Sequence, residues 1–155
     1  MDVSTILKPT SIRCEAQVRS KKHALDILSD MLADAGGGLS AGEILEGLVN
    51  RERLGSTALG NCIAMPHTRQ PGIAGPVAAV LKLAEPIDFD APDGKPVDLL
   101  FGVLVPEEGD PAELREILET VKELPRTELH DAAEPRSVYN LCIDKPPASR
   151  PGVNE

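Results

Sequence analysis

Apolar residues along the chain recur at two periods, one helical and one strand-like, and the succession of the two lays out the elements. From Ile12 to Ala16 the alternation suits a short strand. Ser20 precedes KKHALDILSDMLADA, where Leu25, Ile27, Leu28, Met31 and Leu32 form a helical stripe, so the spacing predicts a helix with Ser20 as its cap. Glycines at 36–38 stop it, because glycine has the most backbone freedom to lose in a regular element. Ser40 opens a second helix, AGEILEGLVNRER, with Glu43 at capping-box spacing. Ile44, Leu45 and Leu48 mark its inner face, and its end is expected near Leu54 and Gly55.

Cys62 to Met65 reads as a short strand bounded by Pro66. Val77–Leu83 and Val97–Val105 are longer apolar runs, the strands of a pair, with Pro92-Asp93-Gly94 supplying turn chemistry between them. Pro106 ends the second. Past an acidic EEGD loop, PAELREILETVKEL begins with proline at a helix entry, where its missing donor is harmless, and carries Leu114, Ile117, Leu118 and Val121 on one stripe. A weaker helix is expected over Arg126–Ala133, and Ser137 is expected to cap a last turn through Val138 and Leu141. The order of strand, two helices, about three strands, then helices predicts an α+β chain whose mixed sheet is covered by helices. Residues 1–143 form the expected domain, and the Pro-rich, polar stretch 144–155 is expected to be a flexible tail.

Composition narrows the function. A length of 155 residues suits one domain with a sizeable core, and 2% aromatic content makes that core aliphatic. Few aromatic faces and a net charge of -9 both speak against nucleic-acid binding, since phosphate backbones repel an acidic surface. Cys14, Cys62 and Cys142 are scattered and odd in number, which suits free thiols in a reducing compartment. The histidines His23, His67 and His130 show no ligand spacing, so no metal and no cofactor are expected. No signal-peptide pattern and no bilayer-length apolar run is present, so a cytoplasmic location without membrane insertion is expected.

One stretch departs from this plain picture. RERLGSTALGNCIAMPHTR, residues 51–69, runs through small and apolar residues only to present an imidazole, His67, just past Pro66. The string R-E-x-L-G-S-T-x-L-G-N-x-I-A-M-P-H strongly resembles the active-site signature of the fructose/mannitol/nitrogen class of EIIA domains in the phosphoenolpyruvate-dependent phosphotransferase system. The resemblance extends over roughly residues 5–143, through SKKHALDILSDML, EPIDFDAPDGKPVDLLFGVLVP and SVYNL, and leans toward the nitrogen-regulatory branch. It implies a three-layer α/β/α sandwich with a central mixed sheet. It also implies that His67 accepts a phosphoryl group from an HPr-like phosphocarrier protein, and that regulated target proteins are further partners.

Carried over residue by residue, the resemblance makes Arg51 a phosphate-holding residue and Gly55, Ser56, Thr57, Gly60 and Asn61 the loop that shapes the pocket. The chemistry suits these types. A neutral imidazole nitrogen is a competent nucleophile near pH 7 without a separate base. Phosphoryl transfer asks mainly for alignment and for donors around the equatorial oxygens, which a guanidinium, hydroxyls and backbone N–H groups supply. Pro66 limits where the ring points, and the other ring nitrogen needs an acceptor such as a backbone carbonyl. Plainer roles stay open alongside. A histidine after a strand is ordinarily a polar residue at a loop start. Arg51 complements a helix dipole in any case, Ser56 and Thr57 suit a turn, and Asn61 suits a left-handed turn. His23 and His130 read as solvated.

Two positions depart from the family pattern. Thr68 stands where Gly, Ala or Cys follows the histidine, and its β-branched side chain either crowds the phosphate or donates a hydroxyl to it. Many relatives carry a second histidine at the start of the helix after the LLVP strand, where this chain has Glu113, Leu114 and Arg115. Glu113 facing His67 would raise the imidazole's pKa and oppose a dianion, whereas Arg115 there would assist it. Glu107, Glu108, Asp110 and Glu113 suit either a docking surface for a basic carrier or a solvated loop. The leading expectation is a phosphocarrier with a nitrogen-type regulatory output. The alternatives are a regulatory binding module that has lost phosphotransfer, or a sugar-specific EIIA component feeding a permease.

Overall fold

The computed structural model describes residues 1–36 and 39–143. Its strands are β1 (Ile12–Ala16), β2 (Ala58–Gly60), β3 (Ile63–Ala64), β4 (His67–Gln70), β5 (Val77–Ile87) and β6 (Val97–Pro106). Its helices are α1 (Lys21–Gly36), α2 (Ala41–Arg53), α3 (Pro111–Lys122), α4 (Arg126–Asp131) and α5 (Pro135–Ile143). The sheet runs β1-β5-β6-β3-β2, with β4 also pairing β6. β5 and β6 are antiparallel, β1 lies parallel to β5, and β3 and β4 both lie parallel to β6, so the sheet is mixed as expected.

β6 explains why the fold has three layers. Its run of apolar residues is buried on both faces, the pattern of a strand in the middle of a covered sheet. Leu99, Phe101, Val103 and Val105 pack with Ile117, Val121, Leu129 and Val138 from α3, α4 and α5. Leu100 and Leu104 pack with Leu25, Leu28, Leu32, Ile44 and Leu48 from α1 and α2. Gly102 lets α1 come close, because a Cβ there would stand 2.7 Å from Leu28 Cδ2. Among the described residues, no helix is long and apolar enough to cross a membrane.

The caps follow the sequence. Ser20 Oγ accepts the His23 N–H at 3.1 Å, and Ser40 Oγ accepts the Glu43 N–H at 3.1 Å, each offering an orphan donor a partner worth about 1 kcal/mol. Several expectations need correction. Among the described residues the sheet has six strands where about four were expected, because β2 and β4 are short and carry polar residues that mask their period. His67 does not begin a loop; it is the first residue of β4. Ser137 does not cap α5, which already begins at Pro135, with the Glu134 carbonyl accepting the Val138 N–H. His23 is half-buried, its Nδ1 accepting the Arg19 N–H at 3.1 Å, and it helps close the start of α1. The glycine stop at 37–38 and the expected tail at 144–155 lie outside the described residues.

Candidate functional site

The site is built where one line of strand is interrupted. β3 and β4 lie end to end along the same side of β6, separated by Met65 and Pro66. Pro66 has no N–H to give, but its carbonyl accepts the Val103 N–H at 2.9 Å, so the ladder continues through it. β4 pairs with β6 alone among the described residues, which makes it an edge strand. Pairing places His67 opposite Val103 and Arg69 opposite Val105, on the α3 side of the sheet. Thr68 pairs with Leu104 and belongs to the α2 side. There α2 approaches through Gly47, whose Cβ would fall on Thr68 Oγ1 and 2.6 Å from Gln70 Nε2.

A cleft of about 690 Å³ opens at this edge. Glu43, Glu46, Gly47, Asn50, Arg51 and Leu54 line it from α2 and its end, His67 to Pro71 from β4, and Glu107 and Leu114 from the far side. Leu54 stands 84% exposed at its rim.

Within it the imidazole is fixed. His67 Nδ1 lies 2.8 Å from the Met65 carbonyl oxygen. A carbonyl can only accept, so Nδ1 carries the proton and Nε2 keeps a free lone pair. Burial pushes the His67 pKa below its ordinary 6.5; the Met65 carbonyl and Glu52 oppose this, while the cations Arg51 and Arg69 push it further down. The ring is therefore neutral at pH 7.

Two guanidiniums share the cleft. Arg51, in the last turn of α2, donates from Nη1 to the Gly55 carbonyl at 2.9 Å. Gly55 has φ +148°, which lets the chain leave the helix and turn that carbonyl back. Arg69 donates from Nη1 to the Pro106 carbonyl at 3.0 Å, with the Gly109 carbonyl at 3.5 Å. Among the described residues, neither arginine forms a salt bridge. Uncharged carbonyls orient them and leave their charge uncompensated.

The other residues singled out from the sequence lie elsewhere. Ser56 Oγ donates to the Phe89 carbonyl at 2.6 Å and accepts the Ala58 N–H at 3.1 Å. Thr57 is buried and gives both its N–H and its hydroxyl to the Glu52 carboxylate, which Lys21 Nζ meets at 3.0 Å. Both hydroxyls are thus committed to holding the α2–β2 loop, and neither side chain lines the cleft. Asn61 lies at the tip of the β2–β3 hairpin. With Cys62 it takes positive φ, 55° and 68°, as a type I′ turn requires. Its N–H goes to Asp93 and its carbonyl accepts from Arg126, outside the His67 cleft.

At the start of α3 neither Glu113 nor Arg115 lines the cleft; Leu114, between them, does. No carboxylate from α3 therefore raises the His67 pKa, which goes down. Thr68 does not crowd the imidazole, since it projects from the opposite face of β4. Of the acidic loop, Glu107 lines the cleft and Asp110 caps α3 by accepting the Ala112 N–H at 2.9 Å. Sequence reasoning missed Arg69 and Glu52. The signal for Arg69 was its spacing, two residues past His67, which means one face only once HTRQ is recognised as a strand.

The family model for the phosphoenolpyruvate-dependent sugar phosphotransferase system, EIIA 2, matches residues 5–145. A nitrogen regulatory protein from Pseudomonas aeruginosa is 41% identical over 129 residues, 81% of this chain and 84% of that protein. A PTS system fructose-specific EIIA component from Haloferax volcanii is 35% identical over 130 residues, 84% of this chain and 82% of that one. The crystal structure of the nitrogen regulatory protein IIA-Ntr from Neisseria meningitidis superposes with a TM-score of 0.78 at 34% identity, covering 90% of this chain and 98% of that one.

Proposed function

From the premise that this chain belongs to the EIIA 2 family of the phosphoenolpyruvate-dependent sugar phosphotransferase system, we propose that it is a cytoplasmic phosphocarrier. In this reading His67 accepts a phosphoryl group from a phosphohistidine on an HPr-like protein, and the output is nitrogen-type regulation of target proteins. The observation that carries it is the pinned ring: Nδ1–H tied to the Met65 carbonyl at 2.8 Å, with Nε2 free beside two unpaired guanidiniums.

The proposed step balances without an added base. The His67 Nε2 lone pair attacks phosphorus, the N–P bond of the donor histidine breaks, and its electrons return to the donor ring. His67 then bears phosphoryl on Nε2 and the original proton on Nδ1. Positive charge develops on its ring, and the Met65 carbonyl faces that charge. Arg51 meets the equatorial oxygens with a preset fork of donors. Ser56 and Thr57, whose hydroxyls are already committed, serve this scheme as supports of the loop that carries Arg51's anchor, Gly55. The added charge of about −1.5 to −2 at the cleft is what a regulated partner would sense. The acidic rim of Glu43, Glu46 and Glu107 suits a basic carrier.

The test is to incubate the protein with phosphorylated HPr-type carrier and map the label. An acid-labile, base-stable phosphate on His67 is expected, absent from His67→Ala; labelling that survives this substitution would overturn the assignment. A second reading, an EIIA-like binding module without phosphotransfer, is favoured by Leu114, which puts an apolar side chain on the cleft wall. It predicts that the intact protein accepts nothing from any HPr-type donor. The sugar-specific alternative, which the Haloferax volcanii relative's name suggests, predicts onward transfer to a permease domain.

A further inference from the structure

Phosphoryl transfer spreads charge over three equatorial oxygens, and the cleft must offer donors on more than one side of them. Arg51 approaches from the end of α2. The far wall, at Leu114, has no donor to give. Among the described residues, the remaining cation of the cleft is Arg69, two residues after His67 and on the same face of β4. Like Arg51, it is held through Nη1 by backbone carbonyl, leaving Nε–H and the Nη2 hydrogens unclaimed by any partner among the described residues. Arg69 is half-buried at the cleft, so these donors stay open to an incoming anion. Elsewhere in the protein an arginine that ties elements together, Arg126, meets a carboxylate, Asp98, at 2.6 Å.

We propose that Arg69 is a second phosphoryl-binding residue of this site, holding equatorial oxygens from the β4 side while Arg51 holds them from α2. The Pro106 and Gly109 carbonyls serve it as a fixed hinge. Because they are neutral, the guanidinium keeps its full charge for the incoming dianion. The same charge already acts on the imidazole and disfavours its protonated form. The inference rests on His67 being the phosphoryl acceptor, and the experiment separates the two.

Phosphorylation rates of the wild type, Arg69→Gln and Arg69→Lys are measured with two donors, phosphorylated HPr-type carrier and phosphoramidate. Arg69→Gln should slow acceptance from both by about 100-fold, the usual cost of one preorganised donor. Arg69→Lys, which keeps the charge but loses the fork, should fall between. By NMR, the His67 pKa should rise in Arg69→Gln and stay near the wild-type value in Arg69→Lys, which keeps the charge, whereas loosening alone would raise it in both. In the phosphorylated wild type, which needs no variant to fold, the Arg69 Nε–H resonance should move downfield and exchange more slowly. If the wild type accepts phosphate from neither donor, the phosphocarrier reading fails and this inference with it. If the wild type is labelled while Arg69→Gln matches its rate, or is slowed with the carrier alone, Arg69 is no phosphoryl ligand. An Arg69 resonance that stays put on phosphorylation would exclude that role equally.

Discussion

Two regions of this molecule each bring a histidine together with arginine, and they differ in whether a carboxylate is present. On the α4 side, Asp98 lies buried in β6 and accepts Arg126 Nη2 at 2.6 Å through one oxygen and His130 Nδ1 at 2.7 Å through the other. Arg126 also reaches the Asn61 carbonyl, so the cluster fastens α4 to β6 and to the β2–β3 hairpin. Its opposite charges meet within the protein, although the buried Arg126 Nη1 has no hydrogen-bond partner among the described residues. At the cleft, His67, Arg51 and Arg69 meet backbone carbonyls instead. A carbonyl orients a guanidinium or an imidazole without neutralising it. Similar side chains therefore make a fastening in one place and, in the proposed reading, an anion-ready nucleophile in the other.

Disrupting the fastening should have the greatest consequence. Asp98→Ala should destabilise the fold by about 3 kcal/mol, because it strands a mostly buried guanidinium without its counter-charge. Chemical denaturation measures this, and phosphoryl acceptance below the unfolding transition should stay near wild type. A large loss of acceptance at unchanged stability would mean that the two regions are not separate. A smaller effect comes from Gly47→Ala, where the new methyl meets Thr68 Oγ1 and Cβ. Overpacking of this kind costs about 1–3 kcal/mol. Since it pushes on the residue beside His67, it should also lower the acceptance rate, a coupling that Asp98→Ala lacks.

The weakest of the three is electrostatic. His67 has a folded pKa below 6.5, chiefly through burial, so below neutral pH the unfolded chain takes up its proton first. Stability should therefore fall as pH drops through 6.5 toward the folded pKa, then level off. Subtracting the pH–stability profile of His67→Gln isolates this part. The acceptance rate should stay flat near pH 7–8 and decline only below the ordinary histidine range. A decline beginning above pH 7 would mean that the ring is paired with an anion.

Much of the fold was legible because its long elements have clean periods. The α1 and α2 stripes, the two long strands around Pro92-Asp93-Gly94 and the helix after Pro111 all lie where their patterns put them. Two of the short strands, β2 and β4, were not legible, whereas β1 and β3 were. β2 and β4 hold three and four residues, too few to show a period, and β4 is half-buried throughout. That single gap hid Arg69, whose place beside His67 depends on strand geometry. It also left Glu113 and Arg115 as competitors when the helix turns Leu114 to the cleft. Ser56, Thr57 and Asn61 sit in the motif, yet their partners, Phe89, Glu52 and Asp93, lie on other elements or at another loop's reach. Only tertiary contacts reveal such commitments. The carbonyl anticipated behind the imidazole proved to be that of Met65.

The proposed chemistry turns on the Met65 carbonyl holding the proton on Nδ1 and leaving Nε2 to react. Nitrogen-15 NMR of the protein, before and after phosphorylation by an HPr-type carrier, reads both nitrogens. The unmodified ring should show Nδ1 protonated and Nε2 bare at pH 7, and the phosphoryl group should then sit on Nε2. A ring protonated on Nε2, or phosphate found on Nδ1, would contradict this mechanism.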